Sequence, residues 1–295
     1  MDYKDAVKLL ISQVKTVGEE QVKLEKAYGR VLAHKLQADE NVPAFDRSPY
    51  DGYAFRAKDS KGASKECPVT LRITEEIPAG SAPRLKVTEG TAAKILTGAP
   101  VPEGADCVIM YEKTAFTKDT VTIFDEMSAG DNIIYAGEDI RKGELLAQAG
   151  QIIDAGLAGS LAAQKKAFPL VYRRPVAGII STGSELKELE DHFREEGSSL
   201  AADGRIINTN RYTLEAALQK DGCDTVYAGS AGDDIDGIAQ RIRTALTECD
   251  IVILTGGVSA GDYDLTPQAM EKAGCELLVR GVALKPGMAC CYGMC

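Results

Sequence analysis

Histidine is scarce in this chain. His34 and His192 are the only two in 295 residues, each alone in a polar segment, which argues against a histidine-centred triad or a histidine-rich metal site. Long apolar runs are missing as well. No stretch approaches the roughly 20 apolar residues that a membrane-spanning helix needs, and the polar start Met1-Asp2-Tyr3-Lys4-Asp5 lacks the apolar region of a secretory leader. The protein is therefore expected in the cytoplasm with no membrane partner. Excess positive charge is also absent: 34 Lys and Arg face 44 Asp and Glu, a net charge of −10. That balance argues against nucleic acid as a partner, since such binding depends on clustered cations neutralising phosphates. Without a leader, the eight cysteines are expected as reduced thiols. The run Cys290-Cys291-Tyr292-Gly293-Met294-Cys295 has no second ligand pair at zinc-site spacing and reads as a strand carrying small thiols.

What is present divides into several organised regions, and the length suffices for two or three domains with cores. Ala6, Val7, Leu9, Leu10 and Val14 fall at helical spacing over residues 3–16, and a short helix around 24–28 ends at Gly29. A proline-marked passage at 41–44 leads to residues 45–54, dense in turn formers, aromatics and carboxylates. That segment is either a ligand loop or two turns held by Asx and Ser side chains. Short strands are predicted at 69–73, 92–96, 107–110 and 120–124. Between them, residues 96–106 pack glycine and proline turns around Thr97 and Asp106, a pattern equally suited to a rigid hairpin connection. After Gly137-Glu138-Asp139-Ile140 a helix is predicted over 155–164 with Asp154 as its N-cap. The implied division is a helical and β scaffold lobe, 1–43 with 137–174, interrupted by an inserted β domain, 44–136.

From residue 175 to 295 strand and helix alternate: strands at 176–180, 225–228, 251–254 and 276–279, helices at 211–220, 235–246 and 267–273. Ile235, Ile238, Ala239, Ile242, Ala245 and Leu246 form one helical stripe. The pattern is an α/β sheet with parallel strands, in which ligands bind beyond the carboxyl ends. Three such ends carry acids: Ser181-Thr182-Gly183-Ser184-Glu185, Gly232-Asp233-Asp234, and the glycine-rich stretch 255–264, with Gly256, Gly257, Gly261, Asp262 and Asp264. Thr266-Pro267 reads as the N-cap and first position of the following helix. Each acid alone is as well explained as a turn or cap residue. Lys285-Pro286-Gly287 would close the same rim with a cation suited to phosphate. The sequence stops on a predicted strand at Cys295, so the α/β domain is expected to be incomplete and the protein truncated at its carboxyl end.

Several of these motifs, in order, resemble the molybdopterin molybdenumtransferases, the family of bacterial MoeA and the gephyrin E domain. They are Pro43-Ala44-Phe45-Asp46 through Asp51-Gly52-Tyr53-Ala54, Thr97-Gly98-Ala99-Pro100, Gly137-Glu138-Asp139-Ile140, Ser181-Thr182-Gly183 with Glu185, Asn208-Thr209-Asn210, Gly256-Gly257-Val258-Ser259 with Asp264, and Lys285-Pro286-Gly287. The resemblance implies an α/β multidomain fold that ends in an incomplete three-layer, MogA-like molybdopterin-binding domain. It implies a Mg2+-dependent transferase of molybdenum cofactor biosynthesis that takes adenylyl-molybdopterin and molybdate and releases AMP. It also implies a homodimer with a shared active site. By motif match, Asp51, Thr97 and Asp139 stand on one wall, and Glu185, Asp233 and Asp264 on the metal-binding wall. Ser181, Thr182, Gly183, Gly256, Gly257, Ser259 and Lys285 would bind the cofactor. The sequence departs from many relatives at Ile134-Tyr135-Ala136 and at Met288, where they carry basic residues. A non-catalytic scaffold or ligand-binding protein of the same fold is the alternative.

Overall fold

The computed structural model describes residues 1–190, 204–257 and 265–295. They form two compact units, His34–Ala167 and the combination of Met1–Ala33 with Phe168–Cys295.

In His34–Ala167 a six-stranded sheet runs in the order Cys107–Met110, Gly52–Phe55, Thr91–Ile95, Val69–Ile77, Thr120–Ile123, Thr114–Phe116. Within it only the Val69–Ile77 and Thr91–Ile95 strands are parallel neighbours; the other pairs are antiparallel. Tyr53, Phe55, Leu71, Ile109 and Ile123 fill one face, while Ala54, Ile77, Ala93, Ile95 and Val108 fill the other. Gly52–Phe55 is accordingly buried at every position, without the alternation of a strand that faces water. The Tyr53 and Phe116 rings lie 5.8 Å apart, although their strands are four places apart, a span of roughly 19 Å in a flat sheet. The sheet is therefore curled. The Ala155–Ala163 helix starts as expected, with the Asp154 carboxylate accepting from Leu157 N.

In the other unit three parallel strands lie in the order Asp224–Ala231, Val176–Thr182, Ile251–Thr255, with the first in sequence at the centre. The helix Ile235–Leu246 has the predicted limits. Asp234 caps it by accepting from Gly237 N at 2.7 Å, and Ile238, Ala239, Ile242 and Ala245 are buried with Ile180 and Met270. Thr209–Lys220 begins two residues earlier than its apolar spacing indicates, because Asn208 caps it by accepting from Arg211 N. Thr266 is the first residue of the Thr266–Ala273 helix rather than its cap. Its hydroxyl is committed to Gly256 O at 3.1 Å.

Glu276–Arg280 and Cys291–Met294 form an antiparallel pair, against which the Tyr3–Gln13 helix buries Ala6 beside Val279 and Val282. Glu276 pairs with Met294, so their neighbours Cys275 and Cys295 meet with Cα atoms 4.1 Å apart and form a disulfide. The expectation of eight reduced thiols is thereby corrected: six cysteines are free. Among the described residues no helix is long and apolar enough to cross a membrane.

Candidate functional site

Gly52 pairs with Ile95 across two antiparallel strands, which brings the residue before one strand next to the residues after the other. Asp51 and Thr97 meet there. Asp51 Oδ1 accepts from Thr97 N and from Thr97 Oγ1, each at 2.7 Å. The backbone N–H and hydroxyl of Thr97, helped by Lys94, hold the Asp51 carboxyl below the usual aspartate range. Asp51 is thus an ionised acceptor at neutral pH, and the Thr97 hydroxyl, its proton committed, presents lone pairs outward.

Asp139 belongs to the same wall through the backbone. Its N–H donates to Val42 O at 3.0 Å, Gly137 N donates to Pro43 O at 2.9 Å, and Arg47 and Ile134 exchange two hydrogen bonds. Gly98 N and Ser48 O, at 2.8 Å, link that loop to the Thr97 turn. The Asp139 carboxylate itself is exposed.

The α/β unit assembles the second group of predicted residues. Ser181 lies level with Thr255, and Thr182 with Ala231, so the three strands end at one edge. The backbone runs from the central strand to one side and then to the other. The switch point, where open sheets take ligands, therefore lies between Val176–Thr182 and Ile251–Thr255. Two glycines make the close approach possible there. Gly256 has φ +98° and would place a Cβ 2.5 Å from Thr182 O, while a Cβ at Gly257 would stand 2.8 Å from Thr266 Oγ1.

Ser181 is fully buried and hydrogen-bonded to Asn208, and Thr182 donates to Thr255 O at 3.0 Å. Both side chains tie the loops together. Gly183 has φ +136°, and the Glu185 carboxylate folds back to within 2.5 Å of where a Cβ would be. Ser184 Oγ donates to Asp233 Oδ2 at 2.6 Å, joining two strand-end loops. Glu185 and Asp233 are exposed, whereas Asp234 is occupied as a helix cap. Asp262, Asp264 and Ser259 lie outside the described residues. Lys285 is exposed in the turn closed by Val282 N and Met288 O at 3.1 Å. Among the described residues no three His, Cys, Asp or Glu side chains are grouped to hold a metal.

Sequence reasoning missed one constellation. Glu188 accepts from Asn208 Nδ2 at 3.0 Å, from Arg211 Nη1 at 2.9 Å and from the Tyr227 hydroxyl. Burial acts to raise the Glu188 pKa, yet these hydrogen bonds from Tyr227, Asn208 and Arg211 hold it low. Burial and Glu188 together push the Tyr227 phenol up to about 12. Asn208 passes the constraint on to Ser181 Oγ at 2.9 Å, so the network sets the end of the central strand. The one legible signal is Asn208, a good N-cap residue before a helix.

Comparison with known proteins matches both parts of the sequence. Residues 1–164 match the family described as MoeA N-terminal region (domain I and II), and residues 178–295 a probable molybdopterin binding domain. A molybdopterin molybdenumtransferase of Staphylococcus aureus (strain MRSA252) is 36% identical over 284 residues, 96% of this chain and 66% of that protein. Its counterpart in Bacillus subtilis (strain 168) is 39% identical over 272 residues, covering 91% of this chain and 61% of the relative. The chain thus spans somewhat less than two thirds of the length of these relatives. The crystal structure of the molybdopterin biosynthesis moeA protein from Pyrococcus horikoshii OT3 superposes with a TM-score of 0.85 at 34% identity, over 99% of this chain and 72% of that one. With an N-terminal region and a molybdopterin-binding domain both matched in order, the chain belongs to the MoeA family.

Proposed function

We propose that this protein carries the site of a molybdopterin molybdenumtransferase. Adenylyl-molybdopterin binds, its pyrophosphate bond is cleaved, molybdate enters the dithiolene, and AMP and molybdenum cofactor leave. Family membership and the named activity of the relatives support this reading. The observation that carries it is the joining of acidic loops at the carboxyl edge of the parallel strands, where Ser184 ties the Glu185 loop to Asp233.

In this reading Glu185 and Asp233, with Asp264, hold Mg2+. Two exposed carboxylates suit that ion, which takes few protein ligands and completes its shell with phosphate oxygens and water. Bound there, Mg2+ would offset the pyrophosphate charge and polarise the bond to be cleaved. Lys285 binds phosphate or molybdate oxygens. The backbone around Ser181, Thr182, Gly183, Gly256, Gly257 and Ser259 receives the cofactor. Asp51, Thr97 and Asp139 of a second copy complete the cleft, Asp51 as a fixed anion and Thr97 as a hydrogen-bond acceptor. The protein then acts as a cytoplasmic homodimer with shared active sites, without nucleic acid or membrane.

We also propose that residues 44–136 are an insertion in a lobe formed by 1–43 and 137–174. Support comes from the pairing of Leu36–Gln37 with Leu145–Ala147 and of Val42 with Ile140, which sets the entering and leaving segments side by side.

The test is AMP release from adenylyl-molybdopterin with magnesium and molybdate, using the protein and its Asp51→Asn variant. Release that the substitution abolishes is expected. No release by this chain or by one extended to its relatives' length would sink the enzyme reading in favour of a scaffold.

A further inference from the structure

The Asp51 wall contains one charged side chain that the proposed chemistry leaves unused. Arg47 is held at its root from two directions. It exchanges hydrogen bonds with Ile134 at 2.9 and 3.0 Å, while its neighbours Asp46 and Ser48 bond to the turn after Thr97, Val101 N to Asp46 O at 2.9 Å and Ser48 N to Ala99 O at 3.0 Å. The side chain therefore leaves a fixed backbone where the Thr97 turn and the Gly137 loop meet.

Its guanidinium is unmatched. Arg47 Nε is buried without a hydrogen-bond partner, whereas the terminal amino groups keep contact with solvent. Among the described residues no hydrogen bond or ion pair engages the side chain. Carboxylates on the adjoining segments accept from other donors. Asp46 Oδ1 accepts from Ala136 N at 2.8 Å, Glu138 Oε2 from Tyr135 N at 3.0 Å, and Asp51 Oδ1 from Thr97. Other arginines removed from solvent are paired: Arg30 with Glu20, Arg56 with Asp59, and Arg211 with Glu188 and Glu215. In a protein of net charge −10, a rooted guanidinium whose terminal amino groups have neither hydrogen bond nor counter-charge among the described residues is an open position for an anion.

We propose that Arg47 is an oxyanion contact of the Asp51 wall, its terminal amino groups gripping two oxygens of a tetrahedral anion. Paired parallel donors are the geometry with which arginine takes phosphate-like groups. The assignment rests on reading this wall as part of the transferase site. The anion is either a phosphate of the adenylylated substrate or molybdate, which share this chemistry.

Calorimetry and thermal unfolding of the full chain and its Arg47→Gln and Arg47→Lys variants, with sodium pyrophosphate, phosphate or molybdate at ionic strength fixed by sodium chloride, test the proposal. Wild-type protein is expected to bind at least one of these. Arg47→Gln should weaken that binding about tenfold or more, with Arg47→Lys intermediate. Without anion, the Arg47→Gln midpoint should stay close to that of wild type, since the substitution breaks no hydrogen bond or ion pair among the described residues. Dependence on Arg47 for pyrophosphate assigns the contact to the substrate's phosphates; dependence for molybdate assigns it to the metal oxyanion.

Equal binding by wild type and Arg47→Gln, or no oxyanion binding by wild type, overturns the proposal. So does an anion-free midpoint that falls in both variants together with binding, which would make Arg47 structural. Arg47-dependent binding without AMP release would sink the transferase reading alone, and AMP release with Arg47-independent binding would sink this inference alone.

Discussion

Thr97 gives Asp51 two hydrogen bonds to a single oxygen, one from the backbone and one from the side chain, both at 2.7 Å. Thr97→Val keeps the first and removes the second. The Asp51 pKa should rise toward its ordinary value, and single-turnover AMP release at pH 7 should fall by roughly 10- to 100-fold, the usual scale for losing an orienting partner. Thr97→Ser should recover most of it.

The same pair fixes a pH dependence. A folded-state pKa held below the ordinary aspartate value of 3.8 keeps Asp51 ionised at every pH above that value. Its contribution to AMP release should then stay flat from pH 8 to about pH 5 and fall only in more acid solution. In Thr97→Val the acid limb should shift to higher pH. An Asp51-dependent limb near neutrality in the wild type would contradict the assignment of a fixed anion.

Gly52→Ala should unfold the curled sheet. The added Cβ would stand 1.9 Å from Ile109 O in the adjacent strand, and a backbone carbonyl has no free rotation with which to move aside. A loss of more than about 3 kcal/mol is expected, measured by denaturant unfolding. Gly62→Ala, where an added Cβ meets nothing within 4 Å, should cost far less despite its positive φ.

Glu188→Gln should destabilise the α/β unit by about 2 kcal/mol at pH 7, because Arg211 keeps Glu215 and the more distant Glu190 but loses the carboxylate nearest to it. The folded-state pKa of Glu188 is depressed, so its stabilisation is present above the unfolded value near 4.5 and disappears as pH falls through the folded value. Urea titrations at pH 7 and pH 4 should therefore differ less for the variant than for wild type.

Thr266→Val removes the hydroxyl that reaches Gly256 O from a side chain only 1% exposed. The cost should be about 1–3 kcal/mol in thermal or urea unfolding. Thr266→Ser should largely retain stability.

Much of this architecture was legible where one-dimensional pattern is enough. The stripe from Ile235 to Leu246, the cap at Asp154, and the apolar run beginning at Ile251 each follow from local spacing. Pairings set by register were not legible. Asp51 meets Thr97 only because Gly52 lies opposite Ile95, and Cys275 meets Cys295 only because Glu276 lies opposite Met294. Glu188 and Arg211 look like surface charges in sequence, since nothing local reveals that Tyr227 covers the guanidinium at 4.0 Å. Thr266 carried a correct helix-start signal, but its hydroxyl was drawn away by Gly256.

Placing the earliest of three parallel strands at the centre has a kinetic consequence. The loops after Thr182 and Thr255 become neighbours only when the last strand docks, so the crevice depends on contacts between residues more than seventy positions apart. Such contacts close late and slowly in folding. Ligand capture at this edge should therefore appear after helical circular dichroism has recovered, which makes it a reporter of the final docking step.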